Sequence, residues 1–182
     1  EWVPTAEVVA QLKDKLTSKT DYITLAGSGE PTLHAGISHL IREIKAITDI
    51  PVAVITNGSL LWLPEVKEAL LDADLVVPSL DAGSEDMFNY VNRPHPQISF
   101  DQMLRGLQEF RRLFHGLYWL EVFLLSGVTT VESRVKALRE CIKAISPDKV
   151  QVNTVVRPPA EGYAMPVPRD QLEEIAAQLH PQ

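Results

Sequence analysis

Short apolar runs alternate along the chain with stretches of helical periodicity. The runs Tyr22 to Leu25, Pro51 to Ile55, Leu75 to Val77, Tyr118 to Leu125 and Val150 to Val156 have strand length. The segments around them place apolar residues three and four apart, which predicts amphipathic helices. Helices are predicted near Thr5 to Lys15, Gly36 to Ile47, Leu63 to Leu71, Phe100 to Phe114, Val131 to Ile145 and Arg169 to Leu179, with a shorter helical stretch from Glu85 to Tyr90. Asp101 at the start of the fourth pattern and Thr130 before the fifth are residue types suited to helix starts. Strands alternating with helices predict an α/β fold of parallel strands and helical crossovers, at the roughly 30-residue spacing of a βαβ unit. About five such units are too few for a closed eight-stranded barrel, so an open or partial barrel is expected. The barrel portion reads as residues 1–159, followed over 160–182 by a proline-rich exit segment and a C-terminal helix.

Each predicted strand runs into a loop rich in turn residues. Gly27-Ser28-Gly29-Glu30-Pro31 follows the first strand, Thr56-Asn57-Gly58 the second, Ser79-Leu80-Asp81-Ala82-Gly83 the third, Ser126-Gly127 the fourth and Arg157-Pro158-Pro159 the fifth. All five loops lie at strand carboxyl ends, the edge where parallel α/β folds bind ligands.

Composition narrows the classes. With 182 residues and 45% apolar content the chain can bury a core as one globular domain. No apolar run approaches the length that spans a bilayer, and the first residues are not a basic leader, so a cytoplasmic protein without a membrane partner is expected, cut from a longer chain. A formal charge of -7 opposes a general polyphosphate partner. Cys141 is the only cysteine, so neither an internal disulfide nor a multi-cysteine metal site can form within these residues. It falls in the apolar pattern Val135, Leu138, Cys141, Ile142, Ile145, as a packed helix thiol does.

The first loop carries the sharpest chemistry. Gly27-Ser28-Gly29 lacks the Gly-Lys-Ser/Thr of a phosphate loop and the third glycine of a dinucleotide fingerprint, and Glu30 follows instead. A carboxylate there repels phosphate and attracts a cation, glycines allow close backbone approach, and Pro31 pushes Glu30 toward an extended conformation. The expected ligand group is an ammonium. Glu30 can also cap the helix that follows. Asn57 before Gly58 suits a turn as well as a ligand role, and Ser79 and Asp81 can close local turns. Glu121, alternating within an apolar strand, must be paired or functional. Arg157, Arg93 and His95 suit either contact with a ligand or a place in the rim.

The stretch Thr24-Leu25-Ala26-Gly27-Ser28-Gly29-Glu30-Pro31 resembles the Gly-Gly-Glu-Pro motif of radical S-adenosylmethionine (SAM) enzymes, with Ser28 at the first motif glycine. Ile55-Thr56-Asn57-Gly58 resembles that family's Thr-Asn-Gly strand ending, and Pro78-Ser79-Leu80-Asp81-Ala82 its Ser-Leu-Asp ending. Leu120-Glu121-Val122-Phe123 looks like the fifth strand, and Gln151-Val152-Asn153-Thr154-Val155-Val156 like the sixth, whose backbone flanks adenine. The iron–sulfur oxidoreductases related to tRNA wyosine-synthesis enzymes are nearest, through Asn92-Arg93-Pro94-His95-Pro96 and Asn153 to Pro159, followed by glycyl-radical-enzyme activating enzymes. The resemblance implies a partial (β/α)6 TIM-like barrel with its first strand and cluster loop missing. It implies SAM contacts from Gly27, Ser28, Gly29, Glu30, Pro31, Thr56, Asn57, Ser79, Asp81, Glu121, Asn153, Val155 and Arg157.

The family also holds a four-iron–four-sulfur (4Fe-4S) cluster on a Cys-x-x-x-Cys-x-x-Cys loop that this sequence lacks. The resemblance therefore implies a parent protein that cleaves SAM reductively to a 5′-deoxyadenosyl radical, which abstracts hydrogen from substrate, while this segment alone is inactive. Implied partners are an electron donor such as flavodoxin or ferredoxin and a substrate that is RNA, a small molecule or a glycyl-radical protein. The alternative is a non-catalytic SAM-binding or nucleotide-binding scaffold that has lost the cluster loop. A barrel lyase using a Schiff-base lysine is disfavoured because no lysine ends a predicted strand.

Overall fold

The computed structural model describes residues 3–17, 19–27, 29–159 and 161–179. Five strands, β1 (Ile23–Leu25), β2 (Val52–Thr56), β3 (Leu75–Pro78), β4 (Leu117–Leu124) and β5 (Lys149–Thr154), form one sheet in the order β1-β2-β3-β4-β5. Each pairs in parallel with the next. The helices are α1 (Thr5–Lys13), α2 (Ile37–Ile47), α3 (Pro64–Leu70), α4 (Glu85–Val91), α5 (Phe100–Leu113), α6 (Glu132–Ile145) and α7 (Arg169–Leu179). The partial barrel expected from the alternation is what forms, and all strand carboxyl ends open on one edge.

Burial alternates along β4 with the period of a strand: Tyr118, Leu120, Val122 and Leu124 are buried, while Trp119, Glu121 and Phe123 between them are half-buried. The first set packs under the helices with Ile41, Leu107 and Leu138 in the main core. The second set looks into the barrel. There Ala53, Leu75 and Val77 pack with Tyr22 and Trp119, and the Lys149 ammonium sits 4.4 Å from the Trp119 ring centroid. This apolar plug forms a floor beneath the carboxyl ends. Below it, two carboxylates fasten strand starts: Asp74 accepts from the Val52 amide at 2.8 Å and Asp148 from the Tyr118 amide at 2.7 Å.

Local chemistry departs from the expected helix starts in two places. The Phe100 helix begins one residue earlier in its capping, at Ser99, which forms a capping box with Gln102. Thr130 does not cap α6; its hydroxyl accepts from the Gly127 amide at 3.0 Å and closes the turn before it, leaving Val131 at the cap position. Gly106 of α5 faces the turn before α3 so closely that a β-carbon would lie 2.4 Å from the Trp62 amide nitrogen. The C-terminal segment joins the barrel core: Val167 and, on α7, Ile175 and Leu179 are buried in it, with α7 against α6 and β5.

Candidate functional site

Glu30 sits at φ -93° and ψ 116°, the extended conformation that a following proline favours, and caps a single 3-10 turn over Pro31–Leu33. Its Oε1 accepts from the Thr32 amide at 3.0 Å, the Thr32 hydroxyl at 2.7 Å and the Thr56 hydroxyl at 2.6 Å. Its Oε2 accepts from the Asn57 amide at 2.8 Å. The cap and the clasp on β2 are thus one carboxylate. A carboxylate offers about four acceptor sites, shared between two oxygens. Three donors crowd Oε1, and Oε2 keeps one site open.

The second loop is shaped to present its amide. Thr56, 2% exposed, donates to Glu30 and accepts from the Gly58 amide at 3.1 Å. Asn57 Oδ1 accepts from the Ser59 amide at 2.9 Å, an Asx turn that needs Gly58 at φ 73°. The Ser79 amide then donates to the Thr56 carbonyl at 3.0 Å, which brings the third loop alongside.

Between these loops lies a cleft of about 420 Å³, lined by Ala26, Gly27, Gly29, Glu30, Pro31, Ile55, Thr56, Asn57 and Ser79. Among the described residues, Glu30 is the only ionisable side chain lining it. β-carbons added at Gly27 and Gly29 would meet nothing within 4 Å, so packing does not demand glycine there; bare backbone faces open space. A negative charge without a cation in the lining, beside exposed main chain, suits a small cationic group with hydrogen-bonding neighbours.

A second polar group stands on the β3 to β5 side. Ser79 bridges to Glu121, and the Leu80 amide donates to the Glu121 carbonyl at 2.8 Å. Asn153 Nδ2 donates to Glu121 Oε1 at 2.6 Å. Asp81 turns both oxygens inward: Oδ1 accepts from the Phe123 amide at 3.0 Å and Oδ2 from Asn92 Nδ2 at 2.9 Å. Although the residue as a whole keeps some solvent contact, its carboxyl group is deeply set. Desolvation pushes it up to about 6, aided by the nearby Glu121 charge and opposed by its two hydrogen bonds.

Of the residues implied by the sequence resemblance, Gly27, Gly29, Glu30, Pro31, Thr56, Asn57 and Ser79 come together in one cleft, and Asp81, Glu121 and Asn153 in the adjoining group. Ser28 lies outside the described residues. Val155 and Arg157 fall beyond the end of β5, which stops at Thr154 because that hydroxyl turns to Leu124 O and accepts from the Val167 amide; Arg157 is exposed. Thr32 and Asn92 hold the two carboxylates without having been singled out as ligands. Asn92 lies in the noted Asn-Arg-Pro motif, whereas Thr32 had only its place two residues after Glu30 as a signal.

Residues 1–141 match the family model of the Radical SAM superfamily. The chain is 34% identical over 159 residues to a UPF0026 protein of Methanocaldococcus jannaschii, covering 87% of this chain and 49% of that protein. It is 35% identical over 158 residues to a UPF0026 protein of Synechocystis, covering 86% and 58%. A protein of Brachyspira hyodysenteriae named GTPase Obg is 46% identical over 170 residues, 92% of this chain and 25% of that protein. The chain thus spans between a quarter and somewhat over half the length of these relatives. Among solved structures, a domain of pyruvate-formate lyase-activating enzyme from Bacteroides vulgatus superposes with a TM-score of 0.69 at 16% identity, covering 86% of this chain and 91% of that one. A radical SAM methyltransferase from Sphaerobacter thermophilus gives 0.70 at 16%, covering 97% and 55%. Both share the fold.

The superfamily implies SAM and a 4Fe-4S cluster, and the residues present suit the two unequally. The cleft suits the ammonium of SAM in charge and offers exposed backbone beside it. The donor set for the cluster is absent: Cys141 is buried on α6 with its Sγ 3.9 Å from the Gly83 carbonyl, and burial pushes its thiol up. Among the described residues, no group of three or more His, Cys, Asp or Glu is arranged to hold a metal ion.

Proposed function

Because the chain belongs to the radical SAM superfamily, we propose that it is the SAM-binding portion of a radical SAM enzyme, and that the cleft beside Glu30 takes the methionine end of the cofactor. The observation that carries this reading is the Glu30 carboxylate, the sole ionisable lining group among the described residues, with one acceptor site of Oε2 open. That site accepts one N–H of the SAM ammonium, a charge-assisted hydrogen bond. The main chain at Gly27 and Gly29 borders the same ligand, and Ser79, in the lining of the same cleft, adds a hydroxyl partner. Glu121 and Asn153 hold the nucleoside end, oriented by their mutual hydrogen bond.

With a reduced 4Fe-4S cluster, SAM supplies a 5′-deoxyadenosyl radical for hydrogen abstraction. The cluster's thiolates come from outside these 182 residues, and an external flavodoxin-type or ferredoxin-type protein delivers the electron. The test uses the full-length protein, reconstituted anaerobically with iron and sulfide and supplied with dithionite and SAM. Production of 5′-deoxyadenosine and methionine is expected. A reconstituted protein that binds SAM and forms neither product overturns the enzymatic reading.

A further inference from the structure

The motif Asn92-Arg93-Pro94-His95-Pro96 takes no part in the cleft around Glu30, yet it holds unusual backbone. Arg93 adopts φ 47°, in the left-handed region where a β-carbon is crowded. A residue stays in such a conformation only where its surroundings over-determine it. Two sets of contacts do so. Arg93 Nη1 donates to Glu161 Oε1 at 2.9 Å and Nη2 to the Tyr163 hydroxyl oxygen at 3.0 Å, while the Tyr163 ring packs on Tyr90 with centroids 5.4 Å apart. One residue earlier, Asn92 ends α4 and donates to Asp81, which in turn holds the Phe123 amide of β4.

Glu161 and Tyr163 belong to the crossover from β5 to α7. Farther along, that crossover is tied to the strand ends: the Ser126 amide donates to the Met165 carbonyl at 3.0 Å, and the Val167 amide to the Thr154 hydroxyl at 2.9 Å. Its 165–167 end is therefore fastened to β4 and β5. Its 161–163 end is held by the fork of Arg93. The Arg93 side chain is 58% exposed, and exposed ion pairs are weak, so this contact opens at low cost while the strand ties stay closed.

We propose that Arg93 is a positioning residue that latches the 161–165 crossover to the α4–α5 turn, and that the same turn, through Asn92, fixes the Asp81 carboxylate at the ends of β3 and β4. The latch lies on the side of Glu121 and Asn153, away from Glu30. Releasing it frees the rim beside the nucleoside end and leaves the amino-acid end of the cleft intact. Its bearing on catalysis rests on the reading given under Proposed function; its existence does not.

Hydrogen–deuterium exchange on the full-length protein tests the latch. R93A is expected to raise exchange of the 161–165 amides by about two- to fivefold while β1 to β4 stay protected. R93G removes the guanidinium but relieves the left-handed strain, and is expected to open the same segment. R93K keeps charge for Glu161 but not the two-armed fork, and should fall between. The Asp81 carboxyl titration, followed by carbon NMR on aspartate-labelled protein, should move upward in R93A as Asn92 loosens. Unchanged exchange in R93A overturns the latch, as does a rise spread evenly over the sheet. Opening in R93A but not in R93G assigns the effect to strain and overturns it too. An unmoved Asp81 titration overturns the link through Asn92. SAM added to wild type and R93A should protect residues 26–31 in both; failure in both counts against SAM binding and leaves the latch result standing.

Discussion

Replacing Glu30 by glutamine keeps the size of the side chain and removes its charge, which separates the two tasks of this carboxylate. With the amide oxygen toward Thr32 and Thr56, the new NH2 group points at the Asn57 amide, donor against donor, where a 2.8 Å bond stood. Turning the amide over places the NH2 against the Thr32 amide instead, so one clash is unavoidable. Hydrogen bonds to a charged group contribute about 1.5–3 kcal/mol. Asn57 is exposed and water recovers part of this, so E30Q should lose about 1–2 kcal/mol of stability. For a domain of this size that lowers the melting temperature by about 2–8 °C. Loss of the charge-assisted bond to an ammonium should weaken SAM binding about 10- to 100-fold, measured by titration calorimetry on the full-length protein. T56V is the companion: it deletes one donor to the crowded Oε1 and the acceptor of the Gly58 amide, costs about 2–3 kcal/mol, and leaves Oε2 facing the cleft. If T56V weakens SAM as much as E30Q, or if E30Q binds SAM like wild type, the division of labour between the two oxygens is wrong.

Three further substitutions probe the frame. G106A puts a β-carbon 2.4 Å from the Trp62 amide nitrogen and 2.7 Å from the Leu61 carbonyl carbon, both main chain; a loss of about 1–3 kcal/mol is expected in urea unfolding, and an unchanged midpoint would show that α5 and the 61–62 turn separate freely. D81N should change the pH dependence of stability. Asp81 has a folded value of about 6 against 3.8 when unperturbed, so its contribution is fullest below about pH 4 and is lost as pH rises through 6, a fall of at most about 3 kcal/mol. The asparagine can keep both bonds if Asn92 flips its amide, and the wild-type-minus-D81N stability difference should therefore drop over pH 4–6; a flat difference refutes the burial argument. S99A dismantles the capping box of α5 and should cost about 1 kcal/mol, read from the shift in melting temperature.

Periodicity was sufficient for the sheet, because each strand is a short apolar run and each crossover a 3.6-residue pattern, both local properties. Glu30 could be singled out for the same reason: a carboxylate among glycines is unusual by itself. Thr56 and Asn57 could be marked only as contacts of a ligand; that they clasp Glu30 itself could not be read, since they are 26 and 27 residues away and are brought to it only by the parallel register of β1 and β2. Asp81 shows the limit more sharply. In sequence it is one polar residue ending a strand, and nothing local says that Phe123, 42 residues on, turns one oxygen away from the barrel mouth. The early end of β5 likewise depends on Val167 reaching back to Thr154.

The strand order β1-β2-β3-β4-β5 follows the chain without a crossing. Each βα unit therefore finds its hydrogen-bonding neighbour in the unit made just before it, and no strand waits for a distant piece of chain to be inserted beside it. Such a block can be inherited, fused or lengthened at either end while its internal pairing stays the same.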